Sequence, residues 1–208
     1  MADSAANDIL SPKGRANYSI SPIAPRLTDL RGKRIGLLDN KKANADIVLD
    51  ELGRVLEAEY GATVVLRLQK PDTARPASGY GYIDRLVDGV DAVINAYGDC
   101  GSCTSWCIHD SVDLEKRGIP VATINTDEFA SLGQFDAIAK GLPGLPIVTV
   151  PHPIGDNLEP EARAKARDAA GGIVAALTGD ARDVEQSFTN RYITRDAADR
   201  KEGLVCAL

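Results

Sequence analysis

The chain has 208 residues, with 24 Lys and Arg against 30 Asp and Glu and so a formal net charge of −6. At roughly 150 residues per domain this length holds one sizeable core and scarcely two, and the acidic balance argues against a nucleic-acid partner, which usually meets a basic face. A hydrophobic share of 44% excludes wholesale disorder, and no apolar run approaches the roughly 18 residues of a membrane span.

In chain order, residues 1–32 read as an irregular N-terminal arm. Pro12, Pro22 and Pro25 interrupt any helical or strand period there. Such an arm wraps a neighbouring subunit, covers a site, or is a partly ordered leader. Its polar start lacks the basic and apolar parts of a secretory signal, so the expected compartment is the cytoplasm, where thiols stay reduced. Residues 33–180 are expected to form an α/β catalytic domain. Strands are predicted at 34–40, 63–68, 91–97, 120–125 and 145–150, each a short apolar run bounded by turn signals. Helices are predicted at 45–60, 82–87, 104–117, 129–140 and 158–178. Gly61, Gly118 and Gly141 supply stops, and Asp156 with Glu159 has capping-box spacing. Residues 181–208 read as a charged C-terminal tail with a weakly apolar end around Cys206; that cysteine is either a packed tail residue or a redox shuttle.

Five alternations of strand and helix with short links predict a three-layer α/β sandwich. The expectation is a mostly parallel sheet of about five strands in a flavodoxin-like layout. The isolated Gly79-Tyr80-Gly81 follows no strand and lacks a third glycine, so it is no dinucleotide fingerprint. A phosphate-cradling Gly-rich Lys motif is also missing. These gaps argue against an NAD or ATP enzyme and leave a flavin open.

Chemistry concentrates in Gly98-Asp99-Cys100-Gly101-Ser102-Cys103-Thr104-Ser105-Trp106-Cys107-Ile108-His109-Asp110. This turn follows the third predicted strand, and ligands of open parallel sheets bind outside the carboxyl ends of the strands. Cys100 and Cys103 have C-x-x-C spacing at a helix start, whose unpaired N–H groups and positive dipole end favour thiolate over thiol. Cys100, outside the helix, is the expected attacking sulfur, and Cys103 the resolving one. Gly101 is expected to give the turn its backbone freedom. Ser102, Thr104 and Ser105 offer donors to an anionic group, and Trp106 either walls a pocket or anchors the core. A metal is the alternative use of Cys100, Cys103 and Cys107, although a zinc site would need a second ligand pair from a distant segment. Buried, inert packing is the other reading of these thiols, Cys107 above all. His152, held between Pro151 and Pro153 at the end of the fifth strand, is the expected proton donor or substrate ligand; His109 is more remote. Asp39, Asn40, Asp99, Asn125, Thr126 and Asp127 also end strands, and either line the cleft or cap helices.

The run Gly98 to Trp106, together with Val150-Pro151-His152-Pro153-Ile154-Gly155, resembles the UGSC-like family, named for selenocysteine-Gly-Ser-Cys with cysteine replacing selenocysteine in many members. The resemblance covers about residues 30–180 and puts Cys100 in the selenocysteine position, which implies a redox or nucleophilic centre. That family is in turn distantly similar to the substrate-activating selenoprotein subunit of glycine, sarcosine and betaine reductases. Cys103-Thr104-Ser105 also looks like the first cysteine motif of the aspartate/glutamate racemase superfamily. Here the second cysteine of that superfamily has no counterpart except Cys206.

These readings converge on an enzyme acting on a small molecule: a thiol-dependent oxidoreductase with Cys100, Cys103 and His152 catalytic. Asp99, Gly101, Ser102, Thr104, Ser105, Trp106 and Asn125 are expected to bind substrate. An external thiol reductant, such as a thioredoxin-like protein, would reset the pair. The alternatives are a covalent cysteine isomerase or lyase and a metal- or partner-binding subunit. The arm and tail point to a possible homo-oligomer.

Overall fold

A computed structural model of the chain describes residues 19–193. Its five strands are β1 (Arg34–Asp39), β2 (Thr63–Gln69), β3 (Ala92–Gly98), β4 (Val121–Thr126) and β5 (Ile147–Val150), all parallel, in the order β2-β1-β3-β4-β5. The α-helices are α1 (Ala45–Tyr60), α2 (Tyr82–Gly89), α3 (Gly101–Lys116), α4 (Asp127–Ala139), α5 (Glu159–Leu177) and α6 (Ala181–Phe188), with a short 3-10 turn at Ala77–Tyr80. α1 packs on α5 over one face of the sheet, and α3 packs on α4 and α2 over the other. The three-layer, flavodoxin-like arrangement is therefore as expected.

Sequence pattern and position agree strand by strand. Every residue of β3 and β4 is buried, as befits inner strands covered on both faces, whereas the edge strand β2 alternates and leaves Val65 exposed. α1 ends on Gly61 at φ 67°, a left-handed position that glycine fills without strain. From β1 the chain goes outward to β2 and then back past β1 to β3. The order reverses between β1 and β3, and the crevice above that reversal is where such sheets bind ligands.

Four expectations change. The fifth strand begins at Ile147 rather than 145. The start of α5 is tied by Glu161, which accepts from the Leu158 N–H at 3.1 Å, and not by an Asp156–Glu159 pair. The stretch assigned to the tail starts with α6: Asp180 caps it by accepting from Arg182 and Asp183, and Val184 and Phe188, one turn apart, enter the main core. Cys206 and residues 194–208 lie outside the described residues, as do 1–18. The described part of the arm covers the far end of the sheet and not the crevice. Ile23, Ala24 and Leu30 are buried, Leu27 bridges Thr178, and Arg26 pairs with Glu115 near the carboxyl end of α3. Glu115 also accepts from Ala24 and Val121, while burial pushes its carboxyl upward against the pull of Arg26. Among the described residues no helix is long and apolar enough to cross a membrane.

Candidate functional site

The site is built where β3 turns into α3. β3 closes at Gly98, where the backbone passes too close to its neighbours for any side chain: a Cβ there would stand 2.6 Å from Thr104 Oγ1 and 2.7 Å from Asn125 Oδ1. Asp99 follows, then Cys100 in extended conformation (φ −156°) as the N-cap of α3. The helix begins at Gly101, ahead of the expected start at Ser102, Cys103 or Thr104. The reason is that the Cys100 sulfur does a capping serine's job, accepting the Cys103 N–H at 3.4 Å. Gly101 is thus an ordinary first helical residue. Its φ is not left-handed and a Cβ there would meet nothing within 4 Å, so the expected need for backbone freedom moves to Gly98 as a need for space.

Cys100 and Cys103 are joined as a disulfide with Cα atoms 5.4 Å apart. The two sulfurs are not equivalent. Cys100 is half-buried at the surface, whereas Cys103 is 3% exposed on the inward face of the helix. An external group therefore meets Cys100 first.

Three loops at the carboxyl ends of the strands are clasped around this cap. Asp99 accepts from the N–H groups of Ile154 (3.3 Å) and Gly155 (3.1 Å) through one oxygen, and its other oxygen lies 3.5 Å from Lys42 Nζ. From the β1–α1 loop, Asn44 donates to the carbonyls of Ile154 and Asn157, both at 2.9 Å. Tyr97 donates its hydroxyl to Ala43 O at 2.6 Å, and burial pushes that phenol far up. Asp99 is consequently a tie between loops, satisfied on both oxygens.

The other expected substrate residues divide into two groups. Ser102 is exposed, with its hydroxyl 3.9 Å from the Cys100 sulfur. Thr104 is buried and donates to the Cys100 carbonyl at 2.7 Å, and Ser105 turns to α4 and donates to Asp136 at 2.6 Å. Trp106 is half-buried with its ring 5.6 Å from that of His109. Asn125 is fully buried under Gly98 with its Oδ1 unpartnered. Thr104 and Asn125 support the turn from beneath, whereas Ser105 ties α3 to α4 and Trp106 lies along α3 against His109.

Cys107 is one helical turn below Cys103. Its sulfur accepts from Asn40 Nδ2 at 3.2 Å and sits 3.8 Å from Asn95 Oδ1, and burial pushes its thiol strongly up. Among the described residues no three His, Cys, Asp or Glu side chains form a group able to hold a metal ion. Asp39 accepts from Gln69 and from the Lys41 N–H, with its carboxyl pushed up by burial, and lines a cavity with Asp46 and Arg67 at the ends of β1 and β2.

His152 stands at the end of β5, exposed, on a cis His152–Pro153 bond. Its N–H donates to Asp127 at 2.9 Å, and its ring is 5.8 Å from Phe129. Its Nδ1 is 3.1 Å from Thr126 Oγ1, which donates to Gly98 O at 3.4 Å. Through Thr126 the histidine is thus wired to the strand end that carries Cys100. Sequence reasoning missed Lys42 and Asn44, although they lie two and four residues beyond the Asn40 it had singled out. It also missed the buried pair Lys70–Asp110, 3.1 Å apart, which leaves no local signal because the partners are 40 residues apart.

Compared with known families, residues 8–179 match the family model described as the UGSC family. No curated protein matches the chain.

Proposed function

The chain belongs to the UGSC family, and from that premise and the site geometry we propose that it is a thiol-dependent oxidoreductase. In this reading Cys100 and Cys103 cycle between dithiol and disulfide while a bond in a small organic molecule is cleaved or reduced. One observation carries the reading: an accessible sulfur that caps a helix is bonded to a buried sulfur, at the crevice of a parallel sheet. A helix start lowers the free energy of a thiolate placed on it, and the Cα separation of 5.4 Å lies within the ordinary range for a disulfide.

The proposed cycle balances as follows. His152 takes the Cys100 proton, the thiolate displaces a leaving group X from R–X to form an S–R bond, and X departs with the electron pair and takes that proton from His152. The Cys103 thiolate then attacks the Cys100 sulfur. The disulfide forms, R leaves with the S–R pair, and R takes a proton. R–X and two thiols thus give R–H, HX and a disulfide, with two electrons passed to substrate. Expelling carbon this way requires a neighbouring carbonyl or carboxyl to accept the pair, which favours α-substituted acids or carbonyl compounds. If R reacts at sulfur instead, the same steps are ordinary thiol–disulfide exchange. An external dithiol, small or thioredoxin-like, attacks Cys100 and restores the pair. Gly101 and Ser102 form the exposed lip that a substrate meets, and Asp99, Thr104 and Asn125 hold that lip in place.

The test is stoichiometric. Reduced protein is incubated with α-substituted acids, and thiols lost are counted against R–H formed, with mass spectrometry of the 100–103 peptide. The reading expects two thiols consumed per product and a peptide lighter by two hydrogens. Turnover without thiol loss would favour the cysteine isomerase or lyase instead. Full turnover by Cys100→Ser would remove both.

A further inference from the structure

We infer that Thr126 is a positioning residue that holds the neutral His152 ring in its Nδ1–H form. The Thr126 side chain is fully buried and has one hydroxyl proton. Two groups lie within reach of it: the Gly98 carbonyl at 3.4 Å and His152 Nδ1 at 3.1 Å. The carbonyl can only accept. If the hydroxyl donates to Gly98, its lone pair must be met by a proton on Nδ1. If it donates to Nδ1 instead, Gly98 O loses this donor at a turn that has no room to adjust, because Thr104 and Asn125 crowd the Gly98 Cα. The first arrangement keeps both Thr126 contacts and the second gives up the one to the Gly98 carbonyl, so the first is the arrangement we assign.

The ring is otherwise well placed to be held in one orientation. The His152 N–H is fixed by Asp127 at 2.9 Å, and Phe129 flanks the imidazole. A free neutral histidine prefers its proton on Nε2, so Thr126 reverses the intrinsic preference. With Nδ1–H spent on Thr126, Nε2 carries the lone pair. That nitrogen is then the ring's one free base, and in the proposed cycle it is the atom that carries the proton. This catalytic use rests on the function proposed above; the tautomer itself does not.

The chain has two histidines, which makes the measurement clean. Full-length protein labelled with ¹⁵N-histidine is studied by long-range ¹H–¹⁵N correlation above neutral pH, with His109→Gln to assign the signals. The wild type and Thr126→Ser should both show a pyrrole-type Nδ1 and a pyridine-type Nε2 for His152. Thr126→Val should shift the ring toward the Nε2–H form. An Nε2–H ring in the wild type overturns the inference, and so does a Val variant whose ring is unchanged. Should Thr126→Val fail to fold, the wild-type and Ser spectra still decide. A correct tautomer with no thiol consumption would leave this assignment standing while the proposed redox cycle fell.

Discussion

Replacing Lys70 by Met should weaken the fold severely at neutral pH and much less in acid. Lys70 is fully buried and Asp110 is 1% exposed on its side chain, with Nζ 3.1 Å from Oδ2. At an effective dielectric of about 20, charges at that separation attract by roughly 5 kcal/mol. Methionine keeps most of the apolar stem but strands the carboxylate, which retains the Ala77 N–H at 2.8 Å and the His109 ring nitrogen at 4.0 Å, a cation only when protonated. Breaking one side of a buried pair costs about 3–5 kcal/mol. With a urea slope of roughly 2–3 kcal/mol/M, the midpoint should fall by about 1–2.5 M with the slope unchanged. The pH dependence follows from Asp110, whose carboxyl is pushed up by burial and pulled back by Lys70. Because the folded state holds that proton more tightly than the unfolded state, the contribution to stability falls as pH rises from about 4 through the raised value. Removing Lys70 enlarges the rise. The penalty is therefore greatest near neutrality and shrinks as Asp110 takes a proton. A variant that loses under about 1 kcal/mol, the scale of an exposed pair, would show that the pair is not desolvated as described. A penalty independent of pH would show that the loss is packing and not charge.

Three shorter expectations accompany it. Reducing Cys100–Cys103 should lower stability by only about 2 kcal/mol, because so few residues lie in the loop it closes; melts with and without reductant check this, and unfolding on reduction would rule out cycling. In reduced native protein Cys107 should resist alkylation, since its sulfur is buried between Asn40 and Asn95 and its thiol is pushed up; peptide mapping that finds Cys107 modified as fast as Cys100 would contradict this. Gly98→Ala should cost about 1–3 kcal/mol by overpacking against Thr104 and Asn125, and denaturation of a variant as stable as the wild type would show that the turn has slack.

The layout of the sheet was legible because buried parallel strands are short apolar runs with helices between them, and β1, β3 and β4 follow that pattern with few exceptions. α6 was not legible: Val184 and Phe188 are its two buried residues in an otherwise charged stretch. The Gly179-Asp180 pair, a stop followed by a cap, was the available signal. The start of α3 was misplaced because Gly-Ser reads as a turn, and cysteine is not among the usual N-cap residues. Cys100, Cys103 and the strand-end position of His152 could be named from sequence because chemistry at C-x-x-C and at strand ends is local. Whether a polar residue faces substrate or holds a loop was hidden, because the partners of Asp99 and Ser105 lie 55 and 31 residues away.

The account stands or falls on the acidity and openness of Cys100. The direct measurement is the rate at which iodoacetamide modifies Cys100 in the reduced protein across a pH series, with the site read by peptide mass. The account predicts ready modification of Cys100 ahead of Cys103, with a midpoint below the free-thiol value of about 8.5. A midpoint at or above that value, or a Cys100 that stays unmodified at neutral pH, would contradict it.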